Sequence, residues 1–256
     1  MKSKFLIFMF VTVSLMTVAC DKKQKNNVEP VESDSKEVKA ANMQPAQDDE
    51  AVAQEENSDA IDHSGIVSIK KAWADKTIKV ESGKSAPGIE QFAKAFCKTY
   101  PQWEANTVLR DYLQSPKDYK NEMYSIQSYP SDGFIRCEMA TEVTNITHTC
   151  FWNRKNGHQL FAVYMDAGTE SGEWQENAVL FYDYNPDTGM MTPELVISSM
   201  IEDRVNKYDS YSVVLPQKGK DIEIKGYTIN KEEDNCDVYA LPLKWNGMSF
   251  EWVDLM

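Results

Sequence analysis

Carboxylates are the chemically richest side chains of this 256-residue chain. Four oxygen-bearing residues match positions 1, 3, 5 and 12 of a calcium-binding loop: Asp183, Asn185, Asp187 and Glu194. The glycine that this loop needs at its sixth position is replaced by Thr188, and the preceding segment is predicted to be a strand rather than a helix. We therefore predict a tight turn over this stretch. Calcium binding is the weaker alternative, and no metal is assigned.

An acidic loop predicted over residues 166–176 is the best candidate ligand surface. It carries Glu170, Glu173, Trp174 and Glu176. Long loops of compact domains often carry function, and an exposed indole ring stacks on a sugar or clamps a peptide. The alternative is that Trp174 packs onto the sheet and the loop is only an acidic connection.

Of the five cysteines, Cys20 directly follows an apolar, signal-like run and is assigned to a lipid anchor, which leaves four. An even number in an exported protein allows two disulfides. If strands 134–143 and 146–153 form a hairpin, Cys137 and Cys150 lie on the same face and close together, and Cys97 is left to pair with Cys236. The alternative is four buried free thiols. No two cysteines have the short spacing of a zinc site.

Histidine is scarce. His148 and His158 lie on the two arms of a hairpin that is predicted to turn at Asn156–Gly157. A two-residue turn there would pair His148 with Met165 and separate the two imidazoles by roughly 20 Å, too far to share a metal. Neither a Gly-x-Ser-x-Gly nor a His-Glu-x-x-His motif occurs. We therefore assign no catalytic residue and no cofactor.

The elements that must position these residues follow from the spacing of apolar side chains. Residues 89–100 and 103–113 have the helical period, and from Tyr124 onwards the period becomes two, with a turn roughly every ten residues. Thr192-Pro193 is typical of the start of a later helix. The predicted fold class is α+β, mainly β, with two N-terminal helices followed by an antiparallel meander or sandwich-like sheet with one inserted helix.

The first twenty residues indicate export. Lys2 and Lys4 precede an apolar run of 15 residues, Phe5–Ala19, which is short for a membrane-spanning helix and suits a signal peptide. The run ends Thr17-Val18-Ala19-Cys20, which resembles a bacterial lipobox. The resemblance implies cleavage of a signal peptide at 1–19 and acylation of Cys20. We expect a lipid anchor in a membrane of the cell envelope, with the membrane and its face left open.

A composition change marks the folded domain. No aromatic residue occurs from Asp21 to Lys71, and residues 26–62 hold eleven acids against two lysines. Such a segment buries too little apolar surface to offset its conformational entropy. We therefore predict an acylated Cys and a disordered acidic tether at 20–75, and a single β-rich globular domain at 76–256. Alternation at 66–70 and 77–80 predicts two short early strands.

The formal net charge of -13 belongs mainly to the predicted domain, because residues 87–256 hold 26 acids and 15 bases. Such a surface argues against nucleic-acid binding and against electrostatic docking on an anionic bilayer. The mean hydropathy of -0.52 argues against a polytopic membrane protein. Neutral glycans, basic proteins and cations are the ligands that this charge allows.

Four stretches within residues 89–252 resemble a family of uncharacterised bacterial envelope lipoproteins of the kind found in gut anaerobes. They are Phe92–Pro101, Cys150–His158, Leu180–Pro186 and Leu243–Gly247. The resemblance implies an envelope location, but it implies no activity, cofactor or catalytic residue.

Three functions agree with this sequence. The leading hypothesis is a non-catalytic, membrane-tethered binding module for a glycan or a peptide, because a tether is predicted and no catalytic signature is present. The second is a hydrolase of the cell envelope that uses two carboxylates, which a cleft with converging acids would favour. The third is a structural or partner-binding lipoprotein, which a large apolar surface patch would favour.

Overall fold

The computed structural model describes residues 64–83, 85–139, 141–169, 174–230 and 235–253. The predicted signal peptide, Cys20 and the predicted tether up to residue 63 lie outside the described residues. Among the residues that are described, no helix is long and apolar enough to cross a membrane.

The described ranges form four α-helices and eleven β-strands. The helices are α1 Ile66–Trp73, α2 Ile89–Thr99, α3 Glu104–Gln114 and α4 Leu195–Val205. The strands are β1 Ile78–Lys79, β2 Tyr124–Tyr129, β3 Phe134–Met139, β4 Val143–Asn153, β5 Gln159–Thr169, β6 Gln175–Asn185, β7 Met190–Pro193, β8 Ser210–Val214, β9 Ile222–Asn230, β10 Asn235–Trp245 and β11 Phe250–Trp252.

Two antiparallel sheets organise the domain. The larger has seven strands in the order β1-β7-β6-β5-β4-β3-β2, and the smaller has four in the order β11-β10-β9-β8. Apart from β1, neighbouring strands in each sheet follow one another along the chain, and helix α4 connects the two sheets. The predicted mainly β, antiparallel class is therefore confirmed.

The large sheet separates two hydrophobic cores. Side chains of α1, α2 and α3 pack against one face, and α4 and the small sheet pack against the other. Phe92 of α2 is typical of the helical side, because its ring contacts Phe151, Phe161 and Tyr184. Nearly every side chain of β5 is buried, since alternate residues of this central strand point into the two cores.

The position of the helices differs from the prediction. Residues 66–70 were expected to form a strand before a domain that begins at residue 76, but they belong to helix α1. Ile66, Ile69 and Trp73 are buried in the helical-side core, and their spacing of three and four residues places them on one helix face. The folded domain therefore includes residues that the composition assigned to the tether, and its helices precede the meander without lying at the N-terminus of the chain.

The predicted cap of α4 is also wrong. Thr192 and Pro193 end strand β7, where Pro193 pairs with Tyr182, and the helix begins at Leu195 with Glu194 as its cap residue. Pro193 is tolerated there because its nitrogen faces away from β6, on a side where β1 pairs only with Met190 and Met191.

The β4–β5 hairpin is longer at its tip than the Asn156–Gly157 signal indicated. Asn153 pairs with Gln159, so five residues form the connection. His148 consequently faces Tyr164 instead of Met165. A one-residue change in register moves side chains to the other face of a sheet, and here it places Arg154 and His158 beside the same carboxylate.

Candidate functional site

The predicted acidic ligand loop is only partly described. Glu170 and Glu173 lie outside the described residues. Trp174 is half-buried and packs against the helical-side core, as in the alternative interpretation. Glu176 accepts hydrogen bonds from the backbone amide and the hydroxyl of Ser64, just before α1. The described part of this loop therefore fastens the chain segment before α1 to the sheet.

The calcium pattern is divided between two roles. Asp183 and Glu194 both accept hydrogen bonds from Arg154, whereas the side chain of Asn185 accepts one from the backbone amide of Asp187. The turn prediction is confirmed by the bond from the amide of Gly189 to the carbonyl of Asn185. No group of three or more His, Cys, Asp and Glu side chains in the described ranges is placed to share a metal.

The strongest charged cluster lies at the tip of the β4–β5 hairpin. Arg154 donates to Oδ1 of Asp183 at 2.6 Å and to Oε2 of Glu194 at 2.8 Å. The other oxygen of Asp183 lies 2.6 Å from Nδ1 of His158. The side chain of Arg154 is only 9% exposed, so these bonds are poorly screened by water. We call these four residues the tip cluster.

The tip cluster joins three parts of the fold. Arg154 and His158 come from the hairpin, Asp183 from β6, and Glu194 from the cap of α4. The hairpin tip also contacts the β10–β11 turn, where Lys155 donates to the carbonyls of Asn246 and Gly247. The tip cluster therefore joins the hairpin to β6 and to the cap of α4, and the neighbouring Lys155 joins the same tip to the small sheet.

The Asp183–His158 pair of the tip cluster has the geometry of a carboxylate–imidazole pair in catalytic sites. A carboxylate on Nδ1 of an imidazole fixes the ring and leaves Nε2 as the atom that exchanges a proton with a substrate. In the tip cluster, however, Asp183 is shared between His158 and Arg154, and Glu194 is bound to Arg154 as well. Sequence reasoning missed Arg154 because the two-residue turn placed His158 opposite Lys155.

His148 lies on the same hairpin in the opposite environment. It is buried between the rings of Phe134 and Tyr164. Neither of its ring nitrogens has a hydrogen-bond partner among the described residues. Burial, with the neighbouring Arg136 as a second cause, lowers the pKa of His148 to about 3, so this imidazole is neutral at physiological pH.

The disulfide prediction is wrong for Cys137 and Cys150. Cys137 pairs with Thr147, whereas Cys150 pairs with Phe134. The two sulfurs therefore point to opposite faces of the sheet and lie in different cores. None of the four cysteines Cys97, Cys137, Cys150 and Cys236 is joined in a disulfide. Burial raises the pKa of Cys137 to about 12 and also raises the pKa of Cys97, which makes both thiols poor nucleophiles.

A shallow groove lies between α4 and β11. It has a volume of about 640 Å³. Its lining residues are Leu195, Val196, Ser199, Met200, Asp203, Arg204 and Trp252. Val196 is 74% exposed and Leu195 is 47% exposed, which is unusual for two adjacent aliphatic residues of a helix whose other face is buried.

Strand β11 forms one wall of this groove and is an edge of the small sheet. The amide of Val253 donates to the carbonyl of Pro242 in β10. Because alternate residues of an antiparallel strand bond to the same neighbour, the amides and carbonyls of Phe250 and Trp252 face away from β10. No backbone–backbone bond to that side is formed by the described residues.

The guanidinium group of Arg204 lies 5.5 Å from the ring centroid of Trp252. This cation–π contact fixes the indole at the wall of the groove. The groove thus combines exposed aliphatic side chains, one oriented aromatic ring and an open strand edge.

Comparisons of the chain with protein-family models, with curated proteins and with solved structures find no match.

Proposed function

We propose that this protein is a lipid-anchored envelope protein whose folded domain is a non-catalytic binding module for extended peptides. The observation that carries the proposal is the open edge of β11 beside the apolar groove under α4. An extended peptide adds to such an edge through main-chain hydrogen bonds, and pockets for its alternate side chains give specificity.

The groove favours a peptide over a glycan. Sugars are bound by an exposed aromatic face with several polar groups around it. Here one approach to the Trp252 ring is occupied by Arg204, and Trp174 packs against the core. The aliphatic side chains of Leu195 and Val196 are better suited to Val, Ile or Leu side chains of a bound strand.

Charge indicates which peptides bind best. Asp203 lies in the groove, and residues 87–256 carry 26 acids against 15 bases. A peptide with alternating aliphatic residues and at least one Lys or Arg would meet both features. We therefore expect its affinity to fall as the salt concentration rises.

The anchor belongs to the same proposal. Cys20 follows a signal-like run and a lipobox-like sequence, which supports acylation and an envelope location. We expect Cys20→Ala to abolish labelling by a fatty-acid analogue in cells. Persistent labelling of this variant would refute the anchor without affecting the peptide site.

The tip cluster supports binding over carboxylate-based hydrolysis. Asp183 and Glu194 converge, as the hydrolase alternative requires, but they converge on Arg154. Neither carboxylate lines the α4–β11 groove. A charge pair of this kind stabilises the fold and is not free to move protons to and from a substrate.

Selection from a phage-displayed library of random heptapeptides, followed by titration of the selected synthetic peptides, tests the peptide site. We expect aliphatic and basic consensus sequences, with slowed hydrogen exchange at the amides of Phe250 and Trp252 on binding. Val196→Asp should weaken binding at least tenfold. Val238→Asp is the matched control, because Val238 is also exposed and lies on β10.

Two results would overturn the proposal. One is a set of peptides that bind equally well to the Val196→Asp variant. The other is peptide binding that leaves the hydrogen exchange of the Phe250 and Trp252 amides unchanged, because both amides lie on the open edge of β11, facing away from β10.

A further inference from the structure

A second groove, between α2 and α3, has the opposite chemistry. It has a volume of about 510 Å³ and is lined by Lys94, Lys98, Arg110 and Gln114. Lys94 and Lys98 are one turn apart on α2, and Arg110 and Gln114 are one turn apart on α3. Four side chains that all donate hydrogen bonds, three of them cationic, therefore meet between two helices.

This concentration of positive charge stands out in an acidic protein. Residues 89–120 contain five bases and four acids, whereas residues 121–256 contain ten bases and 22 acids. The α2–α3 segment therefore carries a net charge of +1, beside a net charge of -12 over residues 121–256. Like charges that face each other across a groove repel, and a bound anion relieves that repulsion.

Nearby carboxylates compensate the groove only in part. Arg110 donates through Nε and Nη2 to Asp111, both at 3.0 Å, which leaves Nη1 outside this pair. Lys98 lies 3.9 Å from Glu81, and these side chains are 75% and 89% exposed, so their attraction is weak. Asp111 thus orients the half-buried guanidinium without occupying all of its donors.

From this geometry we infer that the α2–α3 groove binds a phosphoryl group. A phosphate monoester carries about -1.5 to -2 charges and three strong acceptor oxygens, which match two ammonium groups, one guanidinium and an amide. The group could belong to a soluble phosphate ester or to a lipid headgroup near the expected anchor. This site is separate from the peptide groove and does not depend on the proposed function.

Inorganic phosphate, titrated at constant ionic strength against chloride, is the first probe. We use the full chain with Cys20→Ser, which removes the expected acylation site, and follow backbone amide shifts. Saturable shifts in α2 and α3 are expected. Lys94→Gln combined with Lys98→Gln should weaken binding at least tenfold, whereas Lys218→Gln combined with Lys220→Gln, an equal charge change on an exposed loop, should not.

Sedimentation with phosphatidylcholine vesicles, with and without phosphatidylglycerol, distinguishes the two sources of the phosphoryl group. Binding to the anionic vesicles that is lost in the Lys94/Lys98 variant supports a headgroup. Phosphate binding without vesicle binding supports a soluble ester. Shifts that do not saturate, or that persist unchanged in the Lys94/Lys98 variant, overturn the inference whatever the result with vesicles. Coincident unfolding curves of the Lys94/Lys98 and Lys218/Lys220 variants show that a loss of binding is not a loss of folding.

Discussion

The tip of the β4–β5 hairpin and the middle of the large sheet place the same two residue types, Arg and His, in opposite surroundings. At the tip, Arg154 and His158 share the carboxylate of Asp183. In the middle of the sheet, His148 is buried beside Arg136 without a hydrogen-bond partner among the described residues. Whether a histidine of this hairpin has a hydrogen-bonded carboxylate therefore depends on its neighbours, and the strand register decides which residues those neighbours are.

The largest loss of stability is expected from a substitution in the tip cluster of the β4–β5 hairpin. Arg154→Met should lower the free energy of unfolding by about 3–5 kcal/mol, because it leaves two carboxylates close together without their cation. Urea unfolding at neutral pH measures this. Lys155→Met, which removes an exposed bond to the carbonyl of Asn246, is the adjacent control and should have a much smaller effect. Equal losses in the two variants would show that the tip cluster is not special.

Acid should lower the stability of the folded chain through the buried imidazole of His148, in the middle of the large sheet. The pKa of His148 is lowered to about 3 in the folded chain, against about 6.5 when unfolded. The unfolded state therefore binds more protons between these values, and stability falls as the pH drops below about 6.5. At about pH 4.5 this loss is roughly 2–3 kcal/mol relative to neutral pH.

His148→Phe should remove that part of the acid loss and leave the stability at neutral pH unchanged or higher, since an apolar ring replaces two buried nitrogens that have no hydrogen-bond partner among the described residues. Urea unfolding of both proteins at neutral and acid pH gives the difference. Burial raises the pKa of Asp166, which has the opposite effect on stability in acid, but this contribution is common to both proteins and cancels. Parallel pH profiles would contradict the buried, neutral state of His148.

A smaller effect is expected for His158→Ala. It removes one hydrogen bond to Asp183 from a side chain that is 28% exposed, and this should lower the free energy of unfolding by about 0.5–1.5 kcal/mol. Chemical denaturation of the His158→Ala variant and the unsubstituted protein at neutral pH measures this loss. A loss as large as that of Arg154→Met would mean that the imidazole, and not the guanidinium, holds the tip cluster together.

The smallest effect is expected for Arg136→Gln. Arg136 pairs with Glu138, and the side chains are 33% and 25% exposed, so the loss at neutral pH should be less than about 1 kcal/mol. The informative measurement on the Arg136→Gln variant is the pH dependence of its free energy of unfolding. Removing this positive charge should raise the pKa of His148 and so reduce the loss of stability in acid. An unchanged acid profile would leave burial as the whole cause of the shift.

Local patterns predicted much of the fold. The apolar spacing of residues 89–100 and 103–113 matches α2 and α3, and the alternating runs from Tyr124 match the strands of the two sheets. Helix α1 was missed because Ile66 and Ile69 lie in a short segment that fits both periods. Its helical form depends on packing against the sheet, which the sequence does not show.

The candidate sites were less predictable than the elements. Trp174 belongs to the predicted ligand loop, but it packs on the core, as in the alternative interpretation of that loop. The α4–β11 groove was not predicted, since it joins residues about 50 positions apart, such as Val196 and Trp252. No local pattern reports that one edge strand ends beside the exposed face of a distant helix.

The sequence by itself determined the composition-based features: an export-like start, an acidic chain, a mainly β domain and the absence of local catalytic motifs. Only the tertiary structure decided which side chains meet. Hydrophobic periodicity is local and therefore readable along the chain, whereas register and sheet packing depend on contacts between distant residues. A one-residue difference in the β4–β5 register placed Arg154 and His158 beside Asp183, whereas His148 has no hydrogen-bond partner among the described residues.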